Sequence, residues 1–387
     1  MRSACRILLV ACAVAAPMST AARGQDAQQP FELIRSLRLL QDRAAQGDSA
    51  AYSQQRRLSA HIAEQMMAAD PSVWGDPTNV RAVVMYVLSG GEPRVLKGLF
   101  GRRSLPGVDE KLLNGALAYS EGRDADAAEL LAAVDVRTLE RNLGAHVALA
   151  QAVLLVAKDP KKAIALLNDA RLLSPGTLIE EAALRRQASA VAAAGDTSAY
   201  NTLASHYLRR FPNSVYANSF REQFAVEVAG DRYGQAPEQL AKLEAMLDGL
   251  DVVSRRQSYL LIAHQAVTGG RVELARLAAR HAIALTTEGS AEHTRSRIYE
   301  AAILIITQDH DVGLAVLQSI DRSKLADSDA ELLDAAMAVA SEVRRPLLIS
   351  DPPLAFAEGP ETPLPKSVEV ARKVMARVDM LLNEVSK

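Results

Sequence analysis

Only two cysteines occur among the 387 residues, Cys5 and Cys12, and both fall near the N-terminus. The rest of the chain contains no thiol, which excludes a disulfide, a thiolate zinc site or a cysteine nucleophile there. Aromatic residues are scarce at 4%, so a core must be built from Ala, Leu, Val and Ile. An excess of positive charge is also missing, with 44 basic residues facing 46 acidic ones. Nucleic-acid binding normally needs concentrated positive charge, so no nucleic-acid partner is expected. Beyond the N-terminus, no stretch approaches the roughly twenty apolar residues of a membrane-spanning helix. The chain also lacks GxSxG, GxGxxG, a Walker glycine loop and HExxH, and no alternating strand pattern is bounded by turns.

What the chain does have is a turn signal that returns between helical patterns. GGEP at 90–93, EGRD at 121–124, KDPK at 158–161, AGDT at 194–197, TGGR at 268–271 and QDHD at 308–311 share this role. A less regular RYGQ at 232–235, followed by Pro237, completes the series. The mean interval is about 36 residues, close to the period of tetratricopeptide repeats. That period predicts an all-α, TPR-like solenoid of helical hairpins over 31–345, a single elongated domain that presents a surface. The tryptophan and tyrosine positions of the repeat consensus are not filled regularly, so the match is one of type.

The ends differ from the array. Arg2 and Arg6 give a basic start, Ile7–Pro17 is a nearly unbroken apolar run, and small residues follow up to Gly24. That order is a secretory signal peptide over 1–24, too short in its apolar run to span a bilayer. Leu9-Val10-Ala11-Cys12 also fits a lipoprotein box that would attach a lipid to Cys12, at the cost of an unusually short hydrophobic core. Loss of 1–24 removes three arginines and no acid, which deepens the net charge from −2 to −5. No stable membrane insertion is expected after cleavage. Residues 25–30 read as a flexible lead. Prolines cluster in 346–366, an extended connector. Residues 367–387 then read as a C-terminal helix with a narrow apolar seam of Val368, Ala371, Met375, Val378, Leu382 and Val385. Two roles remain open for it, a terminal cap on the solenoid or a tethered helix for a partner.

Candidate chemistry is sparse, and no catalytic, cofactor-binding or metal-binding residue is assigned. Asp309-His310-Asp311 falls in a repeat turn and cannot by itself complete a coordination shell. His264 and His281 straddle one hairpin and are candidates to meet across it. Asp124 reads as a helix N-cap, Ser328 and Glu331 as a capping box, and Glu180-Glu181 as a dipole-complementing pair at a helix start. Basic pairs at Arg56-Arg57, Arg102-Arg103, Lys161-Lys162, Arg185-Arg186, Arg209-Arg210, Arg255-Arg256 and Arg344-Arg345 offer either a ribbon for an acidic partner or ordinary solvated faces. Trp74, the sole tryptophan, is expected to plug the N-terminal core.

Four stretches carry a more specific likeness: PFELIRSLRLLQD at 30–42, AADPSVWGDPTNVRAVVMYVLSGG at 68–91, SPGTLIEEAALRR at 174–186 and HYLRRFPNSVYANSFREQFA at 206–225. Their wording is similar to the MotC-type periplasmic motility (chemotaxis) proteins of the bacterial flagellar motor. The resemblance implies a non-enzymatic periplasmic protein needed for flagellar rotation, whose partner is the periplasmic part of the stator protein MotB. It brings no site residues and no cofactor. A general periplasmic scaffold for envelope assembly is the alternative, and a cell-wall lytic enzyme would need a catalytic domain for which little chain remains.

Overall fold

The computed structural model describes residues 28–100, 105–230, 233 and 236–343. The expected signal peptide, connector and C-terminal helix lie outside the described residues, as do Arg102-Arg103 and Arg344-Arg345. Among the described residues there are 17 α-helices, three short 3-10 helices and no strand. The chain is an all-α helical repeat, as its period predicts. The helices pair as hairpins: α1 (Pro30–Ala45) with α2 (Ser49–Ala68), α3 (Pro77–Leu88) with α4 (Pro93–Lys97), and α5 (Glu110–Ser120) with α6 (Asp124–Ala132). Next come α7 (Arg141–Leu155) with α8 (Pro160–Leu173), α9 (Leu178–Ala193) with α10 (Thr197–Arg210), and α11 (Ala217–Ala229), which is followed by α12 (Pro237–Asp248). Last are α13 (Val252–Thr268) with α14 (Val272–Leu285), α15 (Ala291–Ile305) with α16 (His310–Gln318), and α17 (Asp327–Val343).

Five of the hairpin turns share one mechanical cause. Gly47, Gly90, Gly122, Gly195 and Gly270 all adopt positive φ, between 67° and 105°, just past the end of a first helix. In each turn the N–H of the following residue donates to a carbonyl five residues back: Asp48 to Arg43, Gly91 to Tyr86, Arg123 to Ala118, Asp196 to Val191 and Arg271 to Ala266. This is the Schellman stop, which satisfies the orphan carbonyls of a helix end and needs a left-handed residue. It reverses the chain within two residues, so the second helix returns along the first.

The core follows from small residues. Ala275, Ala278, Ala279 and Ala282 of α14 are fully or almost fully buried, and Ala163 and Ala170 of α8 likewise. Side chains this small let helix axes approach closely, and larger residues such as Leu167 and Leu274 fill the next groove. Trp74 lies in the 3-10 turn Pro71–Gly75 and is 3% exposed within the first hydrophobic cluster, as expected. At the far end, Arg295 of α15 forks onto Asp329 of α17, Nε to Oδ1 at 2.6 Å and Nη2 to Oδ2 at 2.9 Å. That carboxylate is 3% exposed, so the pair is a fixed joint between the two helices.

Two local expectations are corrected. Asp124 is the first residue of α6, and Arg123 holds the cap position without a side-chain bond. The Ser328–Glu331 box does not form, because α17 already begins at Asp327 and Asp329 is committed to Arg295. In both cases an acid in the first turn complements the dipole without capping the backbone.

The array departs from a purely neighbour-to-neighbour stack through α1. This helix lies across the starts of helices far along the chain. The Phe31 N–H donates to Asn79 Oδ1 in α3 at 3.1 Å, and Arg38 Nη2 donates to Asn142 Oδ1 in α7 at 2.6 Å. The Leu178 N–H, the first of α9, donates to Asp42 Oδ1 at 3.0 Å. The Val215 N–H, just before α11, donates to the Ala44 carbonyl at 3.4 Å. Each partner is at or near a helix N-terminus; at Leu178 and Val215 α1 supplies the acceptor that such N–H groups lack, and at Asn79 and Asn142 it supplies the donor. Phe31 and Ala44 are separated by only about 20 Å of helix. Burial raises the Asp42 carboxyl, against the pull of the Leu178 N–H and the Arg38 charge. Gly47 then presses on Asn213: a Cβ at Gly47, whose φ is +105°, would lie 2.6 Å from the Asn213 carbonyl oxygen.

Beside the Arg38–Asn142 contact, His146 is 4% exposed and its Nδ1 lies 2.7 Å from the Asn142 carbonyl. Burial lowers its pKa from 6.5 to about 4, although the Asn142 carbonyl acts in the opposite direction.

Two expected outcomes follow from this clamp. Asp42→Ala strands the Leu178 N–H and should lower unfolding free energy by about 1–2 kcal/mol. Gly47→Ala should cost at least about 2 kcal/mol, since a left-handed backbone and a steric clash combine. Urea denaturation reads both. For His146 the folded pKa is depressed, so its contribution is complete above about pH 6.5 and is lost as pH falls towards about 4, where the unfolded chain binds the proton first. The loss approaches about 3 kcal/mol. A His146→Gln chain should show a shallower decline in stability over that pH window.

Candidate functional site

The crossing of α1 leaves space on one side of it. A cavity of about 760 Å³ lies between the N-terminal hairpin and the array. Its walls come from α1 and α2 through Gln41 and Gln55, from the α3–α4 turn at Ser89–Pro93, and from α9 through Arg185 and Arg186. A second cavity of about 630 Å³, reaching along α2 past Tyr52, Arg56 and Ser59, shares Gln41, Gln55, Ser89–Glu92 and Tyr216 with the first. The two form one continuous groove.

Local structure fixes each wall. Tyr86 of α3 is 1% exposed, and its hydroxyl donates to the Ser59 carbonyl at 3.0 Å, tying α2 to α3. The turn lies flat on that ring: a Cβ on Gly91 would sit 2.5 Å from it. Arg94 pairs with Glu64 at 2.6 Å and also with Glu92, which pins the turn to α2 from its outer side.

On α9, Glu181 is fully buried and Glu180 is 6% exposed, so these acids do more than complement a dipole. Adjacent residues on a helix face different ways, and they serve different partners. Glu181 Oε1 accepts from the Tyr207 hydroxyl at 2.5 Å and pairs with Arg185 Nε at 3.3 Å. Glu180 accepts from the Gly176 N–H at 2.5 Å and lies 3.6 Å from Arg210 Nε. Burial drives the Tyr207 phenol well above its ordinary pKa, with the Glu181 charge adding to the rise. Arg185 then stands over the Tyr216 ring, its guanidinium carbon 4.6 Å from the centroid, while Tyr52 meets the same ring edge-on at 6.1 Å. Burial also raises the Tyr119 phenol, with Arg186 pulling it back.

The basic pairs do not form one ribbon. Lys161-Lys162 and Arg209-Arg210 lie on second helices of hairpins, Arg185-Arg186 and Arg255-Arg256 on first helices. Arg255 is neutralised by Asp248 at 3.0 Å and Arg256 by Glu292 at 3.0 Å. Arg56 and Arg186, both exposed and both lining the groove, form no ion pair among the described residues. His281 and His264 are each engaged with another element. His281 Nε2 lies 2.7 Å from Glu244 Oε1 and its ring stacks on Tyr259, whereas His264 lies beside Tyr299 of α15. His310 Nε2 lies 3.2 Å from the Ala340 carbonyl, which spends it on the joint with α17. Among the described residues no three His, Cys, Asp or Glu side chains group as metal ligands, and no helix is long and apolar enough to cross a membrane.

The groove residues Gln41, Gln55, Tyr52 and Tyr216 carried no motif in the sequence. Gln41 and Tyr216 fall within the stretches at 30–42 and 206–225 that carry the likeness, but nothing there marked them as lining a groove. Glu181 is the keystone of the α9 wall. Glu181→Ala should strand both Arg185 and the Tyr207 hydroxyl and cost about 3–5 kcal/mol in guanidinium unfolding, with Tyr207→Phe much milder.

No solved structure matches the chain. The chemotaxis protein MotC of Rhizobium meliloti (strain 1021) is 33% identical over 368 residues, covering 94% of this chain and 84% of the relative. The family described as "Chemotaxis protein MotC" matches residues 1–386. That breadth takes in the N-terminal hairpin, the groove and the array together. With its role thereby set in bacterial motility and chemotaxis, the chain belongs to the MotC family.

Proposed function

We propose that this chain is a non-enzymatic periplasmic protein required for flagellar rotation, which binds the periplasmic part of the stator protein MotB and influences torque or speed. The observation that carries the reading is family membership across residues 1–386, a span that includes the signal-like N-terminus. Export follows from the order basic start, apolar run, small residues in 1–24. A helical repeat suits the role, because stacked hairpins offer a long surface that is rigid in its parts. The groove beside α1 supplies a concave place on that surface for a partner.

A clean deletion should leave flagellar filaments assembled while swimming is lost or slowed, and the exported protein should co-purify with the MotB periplasmic region at low salt. Normal swimming, or cell-wall and outer-membrane defects with motility intact, would overturn the reading and favour an envelope scaffold.

A further inference from the structure

We infer that the groove between the N-terminal hairpin and the array receives an extended, acidic segment of a protein partner. This rests on the partner-binding reading above and gives it a place on the molecule.

Three features of the groove select that occupant. The first is an acceptor with nothing to accept from. Gln55 Oε1 is buried and has no hydrogen-bond partner, an unsatisfied state that a donor relieves. An extended polypeptide brings free backbone N–H groups into such a site, whereas a helix has already spent its own internally. The second feature is uncompensated positive charge on opposite walls. Arg56 on α2 and Arg186 on α9 have no ion-pair partner among the described residues. Arg185, next to Arg186 in the chain, is already neutralised by Glu181 and stacked on Tyr216. Of the acids that line the groove, Glu92 is engaged by Arg94, and Asp124 sits in the first turn of α6, where the helix dipole favours an anion. Carboxylates on the occupant are therefore the matching charge.

The third feature is length. The two cavities continue into each other past Gln41, Gln55 and Tyr216, so the groove is an elongated open trough and not a single closed pocket. Tyr52, Tyr119 and Tyr216 line it with flat apolar bodies and polar tips, the side chains most used to hold peptide segments at low entropy cost. The Gln55 amide turns to meet the occupant, while Tyr86, Glu181 and the α3–α4 turn already hold the walls in place.

The test uses the exported protein with two fluorescent decapeptides, five Glu-Val repeats and five Lys-Val repeats, read by anisotropy at low salt. The acidic peptide should bind and the basic one should not. Arg56→Glu combined with Arg186→Glu should weaken binding about tenfold or more. Lys161→Glu with Lys162→Glu, on the exposed face of α8, should leave it within about twofold. Circular dichroism confirms that both variants fold. Absence of binding, equal binding of both peptides, or an equal loss in the α8 control would overturn the inference. The MotB periplasmic region, run in parallel, separates the two readings. If it binds the wild type and the double-reversal variant equally, the partner sits elsewhere and the groove assignment falls while the function stands. If it fails to bind while the acidic peptide binds, the MotB reading falls and the groove stands.

Discussion

One helix sets the geometry of the N-terminal half. By laying Asn79, Asn142, Leu178 and Val215 along its length, α1 ties four helix starts that are far apart in sequence to a single rigid rod. The bond from the Leu178 N–H to Asp42 is central among these. It is a cap supplied from 136 residues away, to a backbone group that would otherwise be unsatisfied. Ala45, at the end of α1, is fully buried in the second hydrophobic cluster, while Leu33, Ile34 and Leu37 belong to the first. The helix thus couples two cores that the repeat period alone would leave joined only through their common neighbours.

The groove is a by-product of that arrangement. The returning helix α2 is tied to the array through Tyr86, Ser59 and the Arg94–Glu64 pair, and the groove is the space left beside those contacts. The space between is lined by whatever each element presents there. Glutamines from the hairpin face arginines and tyrosines from the array. Burial of Glu181 beneath Arg185 keeps the α9 wall both rigid and locally neutral, which leaves the exposed Arg186 as its free charge.

What could be read in advance was local in origin. The left-handed glycines at 90, 122, 195 and 270 announced the helix ends because a Schellman stop has few sequence solutions, and the scarcity of aromatics announced a core rich in small aliphatic residues. Trp74 was placed correctly for the same reason, since large aromatic surface between turn residues has few places to go. The crossing of α1 was not legible. Asp42 and Arg38 look like ordinary solvated helix charges until the residues at 142 and 178 are brought beside them. The groove was equally hidden: Arg185-Arg186 stood out as a basic pair, but nothing in the sequence singled out Gln55 and Tyr216 as its neighbours. His264 and His281 were joined across a hairpin on sequence proximity, whereas His281 crosses it to Tyr259 and also reaches Glu244 of α12, and His264 turns to Tyr299 of α15.

Stacked repeats can ordinarily fold one unit at a time, each new hairpin settling on the last. The clamp by α1 denies this protein that route. Asn79 and the paired α2 reach α1 early, but its anchors at residues 142, 178 and 215 come only as the chain nears and passes its midpoint. The C-terminal end of α1, where Ala45 enters the second hydrophobic cluster, stays uncovered until then. Contacts of such long sequence separation slow folding and prolong the exposure of sticky surface. Closure of α1 onto α9 and α11 is therefore a late event, and the interval before it is the period in which a chaperone has most to protect.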